Sequence, residues 1–280
     1  MGARRGLTIL LLVATVVAAA GAGAWAARAP SRVALAALVG MPGKAGRGAR
    51  LFALGGGASC HAAPEAEGEA LRVLAGGRRF ETEFGVFVAP NVSPHPEAGI
   101  GGWSEADFVS ALMKGTSPDG RHYYPAFPWP SYARMSVQEA LDVLAHLRTL
   151  PRDPTPSRDH ELGFPWNLRA GVGLWKALYL DDAPVVAGLS GEAERGRAMV
   201  EGIGHCAECH TPRDALGGPD PNRWLGGGPN PDGPGRIPDI SGSGLTGWSE
   251  SDIAYYLESG FTPPFTSVGG SMVAVVRATA

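Results

Sequence analysis

Apolar side chains recur at helical spacing in several short stretches of the chain, most of them opening on a polar cap. Ser104 followed by Asp107 reads as a capping-box-like start, after which Phe108, Leu112 and Met113 fall on one face. Ser249 and Asp252 open a matching helix whose inner face carries Ile253, Tyr256 and Leu257. Ser136 with Glu139 forms a capping box ahead of Val137, Leu141, Leu144, Ala145 and Leu147, predicting a helix over 136–150. Residues 47–54 and 194–202 read as two further short helices, each leading into a cysteine motif. Strand-like alternation is missing; Val86-Phe87-Val88 would form a short extended piece at most. The pattern predicts an all-α fold.

The same pattern occurs twice. Gly102-Trp103-Ser104-Glu105-Ala106-Asp107 recurs as Gly247-Trp248-Ser249-Glu250-Ser251-Asp252, and Leu112 and Gly115 recur as Leu257 and Gly260. Ala89-Pro90-Asn91 resembles Ile237-Pro238-Asp239. Matches in one order at nearly one spacing predict an internal duplication of one unit, over 43–150 and 190–280. Residues 151–189 join the copies. Their prolines are interleaved with Phe164, Trp166, Leu174, Trp175, Leu178 and Tyr179, which predicts a strap packed on both units rather than a free linker. After Met272 only residues 273–280 remain, so the second unit is expected to lack its C-terminal helix.

Residues 1–30 look like a targeting segment. Arg4 and Arg5 precede an apolar run over 7–27, long enough to span a bilayer as an anchor. Ala24-Trp25-Ala26 also resembles the cleavage site of a removed signal peptide. Either reading keeps the arginines inside and exports the rest. The net charge is −3 with no basic run, which argues against nucleic acid as a partner. A hydrophobic content of 44% is enough for packed cores and argues against disorder.

Chemistry is concentrated at the cysteines. Cys206-Ala207-Glu208-Cys209-His210 is the C-x-x-C-H attachment signature of a c-type haem: two thiols bond the porphyrin vinyl groups and the histidine ligates the iron. With 3 cysteines in the chain, a four-thiolate zinc site is excluded. A redox dithiol would belong to a βαβ context that the pattern does not contain. The third cysteine lies in Gly57-Ala58-Ser59-Cys60-His61, the same motif with glycine in place of the first thiol. It reads as a second haem site with a single thioether through Cys60, or as a damaged one; a buried free cysteine is the alternative. Ligation by His61 needs no thiol at 57. No structural disulfide is expected, and export fits because c-type haem is attached outside the bacterial cytoplasm.

The sixth iron ligand decides between electron carrier and enzyme. Among 6 methionines, Met135 and Met272 each follow the Trp-containing helix and a Pro/Phe-rich loop, in like positions of the two units. Met113 and Met199 read as core. His122 is the alternative ligand. His205 adjoins Cys206 and cannot curl back to the same iron, while His95, His146 and His160 read as surface residues. Two irons with His/Met ligation would carry single electrons.

The chain resembles the di-haem class I-type cytochromes c of bacterial periplasms, particularly the cytochrome subunits of membrane-bound alcohol and sugar-acid dehydrogenases. The likeness rests on Ala89-Pro90-Asn91, Gly99-Ile100-Gly101-Gly102-Trp103, Asp119-Gly120-Arg121-His122, Tyr124-Pro125-Ala126-Phe127-Pro128, 206–213 and Gly269-Gly270-Ser271-Met272. It implies two haem c groups, proximal His61 and His210, distal Met135 and Met272, and a backbone carbonyl near Pro90 and near Pro238 that accepts each histidine's Nδ1 proton. It also implies an electron carrier rather than an enzyme, in the periplasm, soluble or tethered by residues 7–27. Its donor would be a periplasmic or membrane-bound dehydrogenase and its acceptor a quinone or terminal oxidase. The competing reading is a di-haem peroxidase or sulfur-compound oxidoreductase with one open or differently ligated iron. Gly57 and the early C-terminus depart from the family pattern.

Overall fold

Helix α1 (Ala45–Leu54) lies across helix α5 (Val137–Leu147) at unusually short range. The computed structural model describes residues 12–16, 21, 23, 29–230 and 234–279. The approach depends on two glycines. A Cβ on Gly43 would lie 2.3 Å from the Leu141 carbonyl oxygen, and one on Gly48 would lie 1.8 Å from that of Asp142. The Asp142 side chain is fully buried in the crossing. It accepts from the Lys44 amide (2.7 Å) and Gln138 Nε2 (2.8 Å), and Arg47 Nε pairs with its second oxygen at 3.0 Å. α5 starts at the Ser136/Glu139 capping box, with both reciprocal bonds formed. Its apolar face joins Leu51 of α1 and Phe108, Val109 and Leu112 of α3 (Glu105–Lys114) in one core. α3 opens on the Ser104/Asp107 box and ends at Gly115, left-handed with φ +56°. Two short helices, α2 (Gly57–His61) and α4 (Trp129–Tyr132), complete this half.

Strands β1 (Arg79–Thr82) and β2 (Gly85–Val88) form an antiparallel hairpin in register Arg79 to Val88. β3 (Glu161–Leu162), from the strap, adds to β2. The short extended piece expected at Val86-Phe87-Val88 is thus the middle strand of a small sheet. Arg79 fastens the edge with two bonds to the Glu161 carboxylate, 2.6 and 2.8 Å.

The strap packs on both halves. Its helix α6 (Ala170–Tyr179) turns Lys176 inward, where Nζ donates to the carbonyls of Lys114 (2.6 Å) and Gly115 (2.7 Å) at the C-terminus of α3. Burial pushes this ammonium down to about 8, so it is still charged at neutral pH. Beneath it lies the fully buried Trp129, stacked edge-on against Trp175. Toward the other half, Tyr179 donates to Asp214 (2.7 Å) and Trp175 to the Leu216 carbonyl (2.9 Å). The buried Glu201 carboxylate accepts the amides of Val185 and Val186.

The C-terminal half contains α7 (Gly191–Glu201), α8 (Ala207–His210), a two-strand ladder of β4 (Gly228–Pro229) and β5 (Arg236–Ile237), and α9 (Glu250–Ser259) behind its own Ser249/Asp252 capping box. Met272 opens an eight-residue helix, α10 (Met272–Thr279), where the sequence led us to expect none. α10 packs on α9 and on α1. Val276 is its buried anchor. Gly196 in Arg195-Gly196 stands in α7 as Gly48 in Arg47-Gly48 stands in α1, yet nothing lies within 4 Å of where its Cβ would be. Met199, on the same helix, is exposed.

The two glycines should respond oppositely to alanine. Gly48→Ala drives a methyl group into backbone and should cost about 1–3 kcal/mol or more. Gly196→Ala should be neutral or stabilise by up to about 1 kcal/mol through helix propensity. Denaturant midpoints of the two variants decide it, and an equal loss in both would contradict the open face on α7.

Candidate functional site

The two cysteine motifs end on two short helices that present their histidines in the same way. Ahead of α2, Gly55 closes α1 and Gly56 turns the chain through a left-handed conformation, φ +61°. His61 Nδ1 then lies 3.0 Å from the Pro90 carbonyl, and His210 Nδ1, at the end of α8, 2.9 Å from that of Pro238. A carbonyl only accepts, so each Nδ1 carries the proton and each Nε2 keeps its lone pair. Both bonds match the carbonyl acceptors that the family resemblance implied. Burial pushes the His61 pKa down against the opposing bond to Pro90, favouring the neutral, metal-binding imidazole.

A second clamp escaped the sequence reading. The Gly76 amide donates to the His61 carbonyl, and the Gly227 amide to that of His210, both at 2.7 Å. Both glycines have positive φ, +74° and +69°, and both press on the proline that holds the ring. A Cβ at Gly76 would meet the Pro90 carbonyl carbon at 2.5 Å, and one at Gly227 the Pro238 carbonyl carbon at 2.8 Å. Each histidine is therefore fixed by its ring and by its backbone. The signal was present as Gly76-Gly77 and Gly226-Gly227, recurring between each motif and its proline.

Cys206 is half-buried and Cys209 exposed, while Cys60 is half-buried. Burial raises the pKa of Cys60 and Cys206, so both are thiols at neutral pH. At Gly57 the space for a first thiol is taken. The Phe52 ring lies 2.1 to 2.5 Å from where a Cβ would be. Met135 is buried in the core shared by α1, α3 and α5, and Met272 is half-buried at the start of α10. Met113 is in the core as expected, whereas Met199 is not. His122 is buried behind Arg169, which donates to its carbonyl. His95, His146 and His160 are half-buried rather than exposed. His160 accepts the Val88 amide and packs on Phe87 and Tyr124. Among the described residues, no three His, Cys, Asp or Glu side chains cluster to hold a bare metal ion.

The segment carrying Met135 also meets the second motif. Ser131 donates to Glu208 (2.7 Å), the residue between the two thiols and the neighbour of Cys209. Tyr132 stacks edge-on with His205, whose Nε2 lies 3.2 Å from the Gly55 carbonyl. Arg134 donates to the Ala183 carbonyl and covers the Trp224 ring. A Cβ on Gly202 would be 3.4 Å from Met135 Cγ.

These residues fit c-type haem. Two clamped imidazoles offer Nε2 to iron, one motif offers two thiols, and the other offers one. Known proteins agree. The chain is 52% identical over 99% of its length to a di-haem c-type cytochrome of Cereibacter sphaeroides, covering 92% of that protein. It is 33% identical over 76% of its length to the fructose dehydrogenase cytochrome subunit of Gluconobacter japonicus. It is 34% identical over 72% to the cytochrome c subunit of a quinone-dependent alcohol dehydrogenase of Gluconobacter oxydans. The chain spans 44% and 45% of these two subunits. No family profile matches the chain. It belongs to the di-haem cytochromes c. Its function is electron transfer, and it is not itself an enzyme; the relatives give no support to the peroxidase or sulfur-compound reading.

The occupied slot at Gly57 generates a test. Gly57→Cys alone should form its thioether incompletely, because Phe52 must swing away. Adding Phe52→Ala should let the bond form. Pyridine haemochrome spectra report this: a vinyl group left conjugated shifts the band to the red, and only the double variant should match the two-thioether position. A full shift in the single variant would show that the ring yields freely.

Proposed function

We propose that this chain is an exported two-site electron carrier built from two cytochrome c units, 43–150 and 190–280, joined by the strap 151–189. The carrying observation is the repeated clamp: His61 on Pro90 and Gly76, His210 on Pro238 and Gly227. The recurrence of capping boxes, clamp and motif in one order supports duplication. The open face at Gly196 supports a second unit less completely closed than the first.

When bound, a haem supplies an iron that alternates between two oxidation states. The chain's residues do the rest. Cys206 and Cys209 would hold the second group through two thioethers, and Cys60 the first through one. His61 and His210 would ligate the two irons through Nε2. Their protonated Nδ1 atoms, hydrogen-bonded to carbonyls, fix ring orientation and raise the basicity of Nε2. Met135 and Met272 would be the side chains offered to the iron from the other side; a neutral thioether there would favour the ferrous state and raise the potential. The apolar core around Met135 keeps water from the first site, which raises it further.

The dehydrogenase subunits among the relatives support a periplasmic or membrane-bound dehydrogenase as donor. A quinone or terminal oxidase is the proposed acceptor, and residues 7–27 are the proposed leader or anchor. That run lies mostly outside the described residues, among which no helix is long and apolar enough to cross a membrane.

Met135→Ala and Met272→Ala should each open one iron, lower the potential of that site and allow carbon monoxide to bind. Spectra that stay low-spin with unchanged potentials in both variants would remove the methionines as ligands and return His122 to consideration. Purification of the native chain from mildly solubilised membranes should bring down a dehydrogenase. Isolation of a peroxide-consuming chain with no such partner would overturn the assignment.

A further inference from the structure

Helix α6 is inside out. Its one charged side chain, Lys176, points into the protein, while its outward face carries Gly171, Leu174, Ala177 and Leu178. The turn leading into it adds Phe164, Trp166 and Leu168, all exposed; Trp166 is 51% and Leu178 67% exposed. A run of large apolar side chains on one strap is not ordinary surface scatter and marks a surface that is covered in use.

The position of the patch points to what covers it. The N-terminal apolar run reaches the folded part of the chain at Arg32 and Val33. The Arg32 guanidinium binds the Asp107 carboxylate and the Pro118 carbonyl, and the Val33 amide binds Ser110 Oγ. α6 is fastened to the same helix, α3, through the Lys114 and Gly115 carbonyls. The backbone from Gly115 to Pro118 spans at most about 10 Å. The contacts of Arg32 and Val33, which follow the apolar run, and those of the strap therefore fall on the same helix and the turn after it, the former on Asp107, Ser110 and Pro118 and the latter on Lys114 and Gly115. The described part of the run does not cover the strap, since Leu12, Val13 and Val16 are themselves exposed. A ten-residue helix is about 15 Å long, half the hydrocarbon thickness of a bilayer, so α6 can lie on a membrane but not cross it. An indole beside a short apolar helix is the composition of a membrane–water interface.

We propose that the outward face of α6, with Phe164, Trp166 and Leu168, rests on the surface of the lipid bilayer as a second attachment beside the N-terminal run. This rests on the reading of residues 7–27 as a retained anchor. Two attachments fix the orientation of the two haem units relative to the membrane, where one alone would leave them free to swivel.

The full haem-loaded chain, reconstituted in phosphatidylcholine vesicles containing a lipid with a photoactivatable diazirine in its acyl chain, tests this by mass-spectrometric mapping of adducts. Adducts are expected both within 7–27 and within 164–178. Leu174→Glu with Leu178→Glu, at two exposed positions, should cut the strap adducts at least about tenfold, since one lost leucine burial is worth that much. The adducts on the run and the haem spectrum should stay unchanged. Adducts on the run alone would overturn the strap docking while leaving the anchor in place, and would assign the patch to a protein partner. Adducts on neither segment would remove the anchor and the docking together. Strap adducts that survive the double substitution would show that the helix face is not the contact.

Discussion

The contact on which this protein most depends is the crossing of α1 and α5, where Gly48 lets one backbone touch another. Without a side chain at 48, the Asp142 peptide can enter the space a Cβ would fill. The buried Asp142 carboxylate then draws Lys44 and Arg47 onto the crossing. A buried carboxylate is tolerable only when it is compensated: Oδ1 accepts two hydrogen bonds and Oδ2 is met by the charge of Arg47 alone, all from the two crossing segments. The crossing fixes the end of α1, hence Gly55 and Gly56, hence the placement of Cys60 and His61. The presentation of Cys60 and His61 is thus set by a helix packing outside the motif.

The helices were legible because their signals are local. Each of the three capping boxes read from Ser104, Ser136 and Ser249 forms with both reciprocal bonds, since Ser and its acidic partner three residues on satisfy amides left open at the helix start. The cysteine motifs were equally plain. The β1–β2–β3 sheet was not. Arg79–Thr82 is exposed throughout and shows no alternation; it is a strand because the strap lays Glu161 and Leu162 beside β2, a contact between residues far apart in the chain. Helix α10 was missed for a related reason: an eight-residue segment has little helix stability alone and draws it from α9 and α1. The glycine clamps on His61 and His210 required knowing that Gly76 and Gly227 fold back to their prolines. The sequence showed two glycine pairs, but what the pairs were for became clear only from the fold.

At the seam between halves, the Ser131–Glu208, Tyr132–His205 and Arg134–Trp224 contacts come from one short stretch that ends at Met135. A side chain expected to ligate one iron thus sits on the same segment that braces the attachment motif of the other. The same stretch also reaches the strap, through Arg134 and the Ala183 carbonyl.

Tandem domains commonly move against one another on a flexible joint, and electron exchange then waits for a productive encounter. Here the joint is itself folded. It contributes β3 to one half, caps α3 with Lys176, and gives Tyr179, Val185 and Val186 to the other. Direct contact at His205 and Gly55 closes the remaining gap. The separation of the two histidines is therefore a property of the folded chain rather than an average over a search. Were each histidine to hold a haem, transfer between the sites would be governed by distance and driving force, and solvent viscosity, which slows any carrier that must find its own other half, would leave it unchanged.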